Sequence, residues 1–99
     1  MNLNELKKKL QPKLHAFKIE DTTIYIHRPT GRDFEHCTDI KNTLILCVKD
    51  ENGDPIFSAE DIDGRINVNA IDFVMQNEIY AAIIALVSNS NAVDEIEKK

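Results

Sequence analysis

The feature that most constrains this chain is an acidic turn, Asp50-Glu51-Asn52-Gly53-Asp54-Pro55, set inside the stretch LILCVKDENGDPIFSAEDI at residues 44–62. An apolar, helix-like run leads into it, and a second helix-like pattern restarts beyond it. Asn52-Gly53 offers positive φ and Pro55 forces an extended exit, so the backbone must turn sharply here. Ile56 and Phe57 then act as the hydrophobic pin that folds the second half of the chain onto the first.

The same turn contains a dense oxygen cluster. With Asp50 as position 1, Asn52, Asp54, Ser58 and Asp61 fall at the ligand spacing of an EF-hand loop. The position that needs glycine for the sharp bend is Pro55, however, and the last ligand is Asp where a bidentate Glu belongs. The stretch therefore reads as a connector between helices, and neither a metal nor a cofactor is expected.

Taken in order, Leu3, Leu6 and Leu10 have helical spacing, with Lys7, Lys8 and Lys9 on the remaining face and Pro12 just beyond. Residues 1–12 form either a short amphipathic helix or a mobile arm. Residues 14–19 and 22–28 alternate, with Phe17 and Ile19 on one strand and Ile24 and Ile26 on the other, and Glu20-Asp21 between them as a tight loop. This predicts a β-hairpin, which needs a helix or another chain against its apolar face.

Thr30-Gly31-Arg32-Asp33 has capping-box spacing and starts a predicted helix carrying Phe34, Cys37, Ile40, Leu44, Cys47 and Val48 at three- and four-residue intervals. Ser58 with Asp61 repeats the cap and predicts a short helix ending at Gly64. Asn69 with Asp72 then opens a final helix, from Ile71 to the terminator Ser88-Asn89-Ser90-Asn91. The expected fold class is α+β: an N-terminal β-hairpin followed by a small, mainly helical domain, two longer helices joined by the acidic turn and a short helix. Residues 1–99 form a single domain, with residues 92–99 as a polar tail.

Within the final helix, residues 79–87 (IYAAIIALV) leave no polar face. A helix apolar all round must be covered all round. Its own chain has to wrap it, or part of it lies in an oligomeric or partner interface; the second reading is adopted, with Ile79, Ile83 and Leu86 as interface anchors and Phe34 and Phe57 as core supports.

Composition excludes several classes. A net charge of −5 opposes nucleic-acid binding, which depends on clustered Lys and Arg. The charge is also divided: seven basic and three acidic residues in 1–32 give +4, and five basic and fourteen acidic residues in 33–99 give −9. Such a split suits head-to-tail self-association or a charged partner, and equally two ordinary solvated faces. No apolar run approaches the ~20 residues of a membrane span, and the N-terminal stretch lacks a signal-peptide core, so a cytoplasmic protein is expected. Cys37 and Cys47, ten residues apart on one predicted helix, stand about 15 Å apart, too far to bridge, and read as reduced thiols.

Catalytic patterns are lacking in the sequence. His15, His27 and His36 form no ligand pair and read as surface histidines. Ser58, Ser88 and Ser90 sit at caps or turns, and the carboxylates read as solvated, so no enzyme is expected.

The order hairpin, Arg28-Pro29-Thr30-Gly31-Arg32-Asp33-Phe34, apolar helix, residues 50–62 and long C-terminal helix resembles the tail assembly chaperones of long-tailed (siphovirus-type) bacteriophages and prophages. The resemblance covers roughly residues 14–90. It implies a non-enzymatic cytoplasmic chaperone that self-associates, binds the tape measure protein and recruits the major tail protein. It also implies a frameshift-extended form of the chain, and Lys98-Lys99 is compatible with an A-rich slippery run. From a different class, a small acidic regulatory module, a degenerate EF-hand-like calcium sensor or an inhibitor of a host protein, accounts for the acidic stretch.

Overall fold

The structure is a computed structural model that describes residues 1–97, and their side chains as far as Ser88. It is an α+β fold in which an antiparallel hairpin precedes the helices. Helix α1 (Leu3–Leu10) is capped by Asn2, whose side chain accepts from the N–H groups of Asn4 and Glu5. The hairpin follows, β1 (His15–Ile19) against β2 (Thr22–Ile26), with Phe17 opposite Ile24. Its two-residue turn puts Glu20 at φ 56°, the positive value that such hairpin turns demand at their first central position.

The long helix expected from Thr30 is broken in two. Thr30 does cap a helix, accepting from the Asp33 N–H, but α2 (Gly31–Phe34) is a single turn. His36 and Cys37 then donate three residues back, to Asp33 and Phe34. Asp39 starts α3 (Ile40–Cys47) afresh: its carboxylate accepts from the Asn42 N–H at 2.8 Å, and its carbonyl accepts the Thr43 hydroxyl. Local bonding by Asp39 competes with a continuous helix and wins. The break leaves Phe34 64% exposed, so it is a surface residue rather than a core support.

Strand β3 (Val48–Lys49) leaves α3 directly and joins the hairpin beside β2, giving the order β1-β2-β3. The acidic turn connects strands, not helices. Asp50 Oδ1 accepts from the N–H groups of Asn52 and Asp54, Gly53 takes φ 85°, and Lys49 bridges to Pro55 across the loop. The short helix expected from Ser58 is replaced by β4 (Phe57–Ser58), paired in parallel with β5 (Ile66–Asn67). The Ser58 hydroxyl donates to the Glu60 carbonyl instead of capping a helix.

A 3-10 turn (Val68–Ala70) leads to α4 (Phe73–Glu97). Its cap is Asp72, whose carboxylate accepts from the Val74 and Met75 N–H groups; Asn69 belongs to the turn before it. The helix continues through residues 88–91 as far as Glu97, so neither a stop there nor a non-helical tail over 92–97 is found. Ser and Asn each cost only tenths of a kcal/mol in a helix, and no Gly or Pro stands there to stop it. Lys98-Lys99 lies outside the described residues.

The core gathers Ile24 and Ile26 from β2, Leu44 and Cys47 from α3, Val48, Phe57, Val68, and Ile79 and Ile83 from α4. The chief helix packing is α3 on α4, and Ile24 and Ile26 of β2 with Val48 of β3 join the same core.

Candidate protein interface

At about 100° per residue, the apolar residues of α4 divide into two faces. Ile79 and Ile83 point inward and are 2% and 1% exposed; Leu86 is half-buried beside them. As built by this chain alone, the expected interface anchors Ile79 and Ile83 are therefore core residues, with Leu86 packed at the core's edge. The sequence read 79–87 as needing cover all round, but α3, the hairpin and β4 cover only the inner half. Among the described residues, the outer half presents Phe73 (73% exposed), Val74 (57%) and Ile84 (40%) together with Ala81 and Ala85, and it also carries the polar Asn77 and Glu78. Ala81 and Ala85, beside Ile84, leave room for another helix to approach the C-terminal half of this face.

Gln76 was not foreseen as part of this arrangement. It is buried on the inner face, and its side-chain N–H donates to the Val68 carbonyl at 2.7 Å, fastening α4 to the 3-10 turn. Its place in the apolar spacing, one residue after Met75 and three before Ile79, was the available signal.

A second uncovered face belongs to α1. Leu3, Leu6 and Leu10 form one stripe, all three exposed, and the helix buries no residue. A third apolar feature is a groove of about 430 Å³ beside the hairpin turn. Ile24, Phe57 and Ile79 form its floor, Ile56 and Met75 its walls, and Glu20 and Asp21 its acidic rim.

His27 is buried rather than on the surface. Its Nδ1 lies 2.7 Å from the Arg28 carbonyl, which accepts a hydrogen bond from the Nδ1–H, leaving Nε2 to accept from Lys49 Nζ at 3.1 Å. Lys49 Nζ also donates to the Leu46 carbonyl at 2.6 Å. Burial lowers the pKa of both groups, opposed at His27 by the Arg28 carbonyl and at Lys49 by Cys47 and Asp33. The pair ties the end of β2 to α3 and β3.

The break between α2 and α3 also changes the cysteines. Cys37 and Cys47 do not share a helix, yet Cys37 is near enough to act on the Cys47 thiol; neither is in a disulfide. Burial and the neighbouring Cys37 push the Cys47 thiol up to about 12. In the acidic stretch, Asp50 is engaged by backbone N–H groups and Asp61 by the Asn67 side chain. Among the described residues, no group of three His, Cys, Asp or Glu side chains is placed to hold a metal ion, and no helix is long and apolar enough to cross a membrane.

The arrangement offers apolar surface for another polypeptide on two helices and in one groove. No family model, curated protein or solved structure matches the chain.

Proposed function

We propose that this chain is a tail assembly chaperone of the long-tailed phage type, a non-enzymatic protein that acts in the bacterial cytoplasm. It holds the tape measure protein through helix packing, associates with copies of itself and brings the major tail protein to the assembly. The observation that carries the reading is the outer face of α4, where Phe73, Val74 and Ile84 are exposed beside Ala81 and Ala85. An exposed apolar helix face of this kind suits a long helical client that would otherwise aggregate. The division of charge, +4 over residues 1–32 and −9 over 33–99, supports ordered association of copies. The sequence motifs at residues 28–34 and 50–62 carry the family resemblance.

The test is a client assay. The tape measure protein encoded beside this chain is diluted from denaturant with and without the purified chain, and aggregation is followed by light scattering. The expected result is suppression of scattering and co-elution of the two proteins. Unchanged scattering at a several-fold excess of the chain refutes the reading.

A further inference from the structure

We infer that α1 of one copy docks in the apolar groove beside the hairpin turn of the next copy, linking chains head to tail. The inference deepens the self-association part of the proposed function and rests on it. The two surfaces match in chemistry. The Leu3, Leu6 and Leu10 stripe is apolar and, at about 100° per residue, has Lys7 on one side and Lys9 on the other. The groove is apolar at its floor and walls, with Glu20 and Asp21 at one end and Ile66, 51% exposed, at its edge. An amphipathic helix with its leucines in the groove brings its lysines to the acidic rim.

The occupant comes from a second copy because of where α1 sits. The residues that follow it, Gln11, Pro12 and Lys13, line one cleft with Arg28, Pro29 and Thr30, at the open end of the hairpin. The groove is at the turn end, beyond the five residues of β2, about 17 Å along the strand. A stripe at one end and a groove at the other form a heterologous joint, in which different patches meet. Such joints extend into chains or close into rings.

Complementation tests this in the full-length protein. Leu6→Asp spoils the stripe and Ile66→Asp spoils the groove edge; both positions are exposed, and thermal melts verify that each variant is folded. In sedimentation velocity, the wild-type chain should form concentration-dependent oligomers that weaken as salt rises from about 0.05 to about 0.5 M, because screening removes the lysine–rim attraction. Each variant alone should be monomeric at the same concentrations. An equimolar mixture should give a discrete dimer, since one intact stripe meets one intact groove and the other ends are dead. A monomeric wild type, persistent oligomers in either variant, or a mixture that stays monomeric overturns the inference. Client binding through α4 is read separately: either variant that still suppresses client aggregation leaves the chaperone reading standing while the joint is judged on sedimentation alone.

Discussion

Ile83 and Ile84 are neighbours in an apolar run, yet the structure assigns them opposite environments, and truncating each to Ala measures the difference. Ile83 is 1% exposed in the core that α3, β2 and Phe57 share, so Ile83→Ala removes buried methyl groups and leaves a cavity. Such changes cost about 2–5 kcal/mol. In a domain of this size each kcal/mol moves Tm by about 4–8 °C, so even the lower figure predicts a fall of roughly 8–16 °C. Ile84 is 40% exposed and faces outward, and its truncation should cost less than about 1 kcal/mol, a few degrees at most. Thermal melts followed by circular dichroism, repeated across protein concentrations to separate folding from association, give both values. Equal losses in the two variants at the lowest concentration would refute the assignment of helix faces.

Asp39→Ala removes the cap that restarts α3 and should cost about 1 kcal/mol in urea unfolding; no change in the midpoint would mean that Asp39 is not what divides α2 from α3. Gln76→Ala leaves the buried Val68 carbonyl without its donor and should cost about 1–3 kcal/mol, whereas a neutral effect would show that this fastening is absent in solution. Burial lowers the His27 pKa from 6.5, so below that value the unfolded chain takes up the proton first. This contribution to stability is complete above pH 6.5 and declines as the pH falls toward the folded pKa. His27→Gln should therefore flatten the loss of stability between about pH 7 and about pH 5.5, and an unchanged slope would contradict the burial of the ring.

The elements governed by local pattern were legible in the sequence. Alternation over residues 14–28 specifies the hairpin, and the spacing of Ile79 and Ile83 specifies a helix. The turn chemistry of Asp50, Gly53 and Pro55 specifies the reversal. What escaped was settled by competition between local bonds and distant contacts. Asp39 interrupts an apolar spacing that otherwise continues unbroken from Phe34 to Val48, and that interruption exposes Phe34 and turns Cys37 toward Cys47. Phe57 and Ser58 pair with Ile66 and Asn67 through a two-residue parallel ladder, which has no sequence period to announce it. The expected interface anchors on α4 were chosen by hydrophobicity alone. Burial then assigned Ile79 and Ile83 to the core and left Phe73, Val74 and Ile84 facing out.

The central claim is that the outer face of α4 holds the client. Its most direct test is the amount of tape measure protein kept soluble when it is co-produced with the wild-type chain or with the double variant Phe73→Glu, Ile84→Glu. Both substituted positions are exposed, so the variant should remain folded, as a thermal melt verifies. A soluble complex is expected with the wild type and an insoluble client with the variant. Equal solubility with both, or an insoluble client in the presence of the wild type, would contradict the claim.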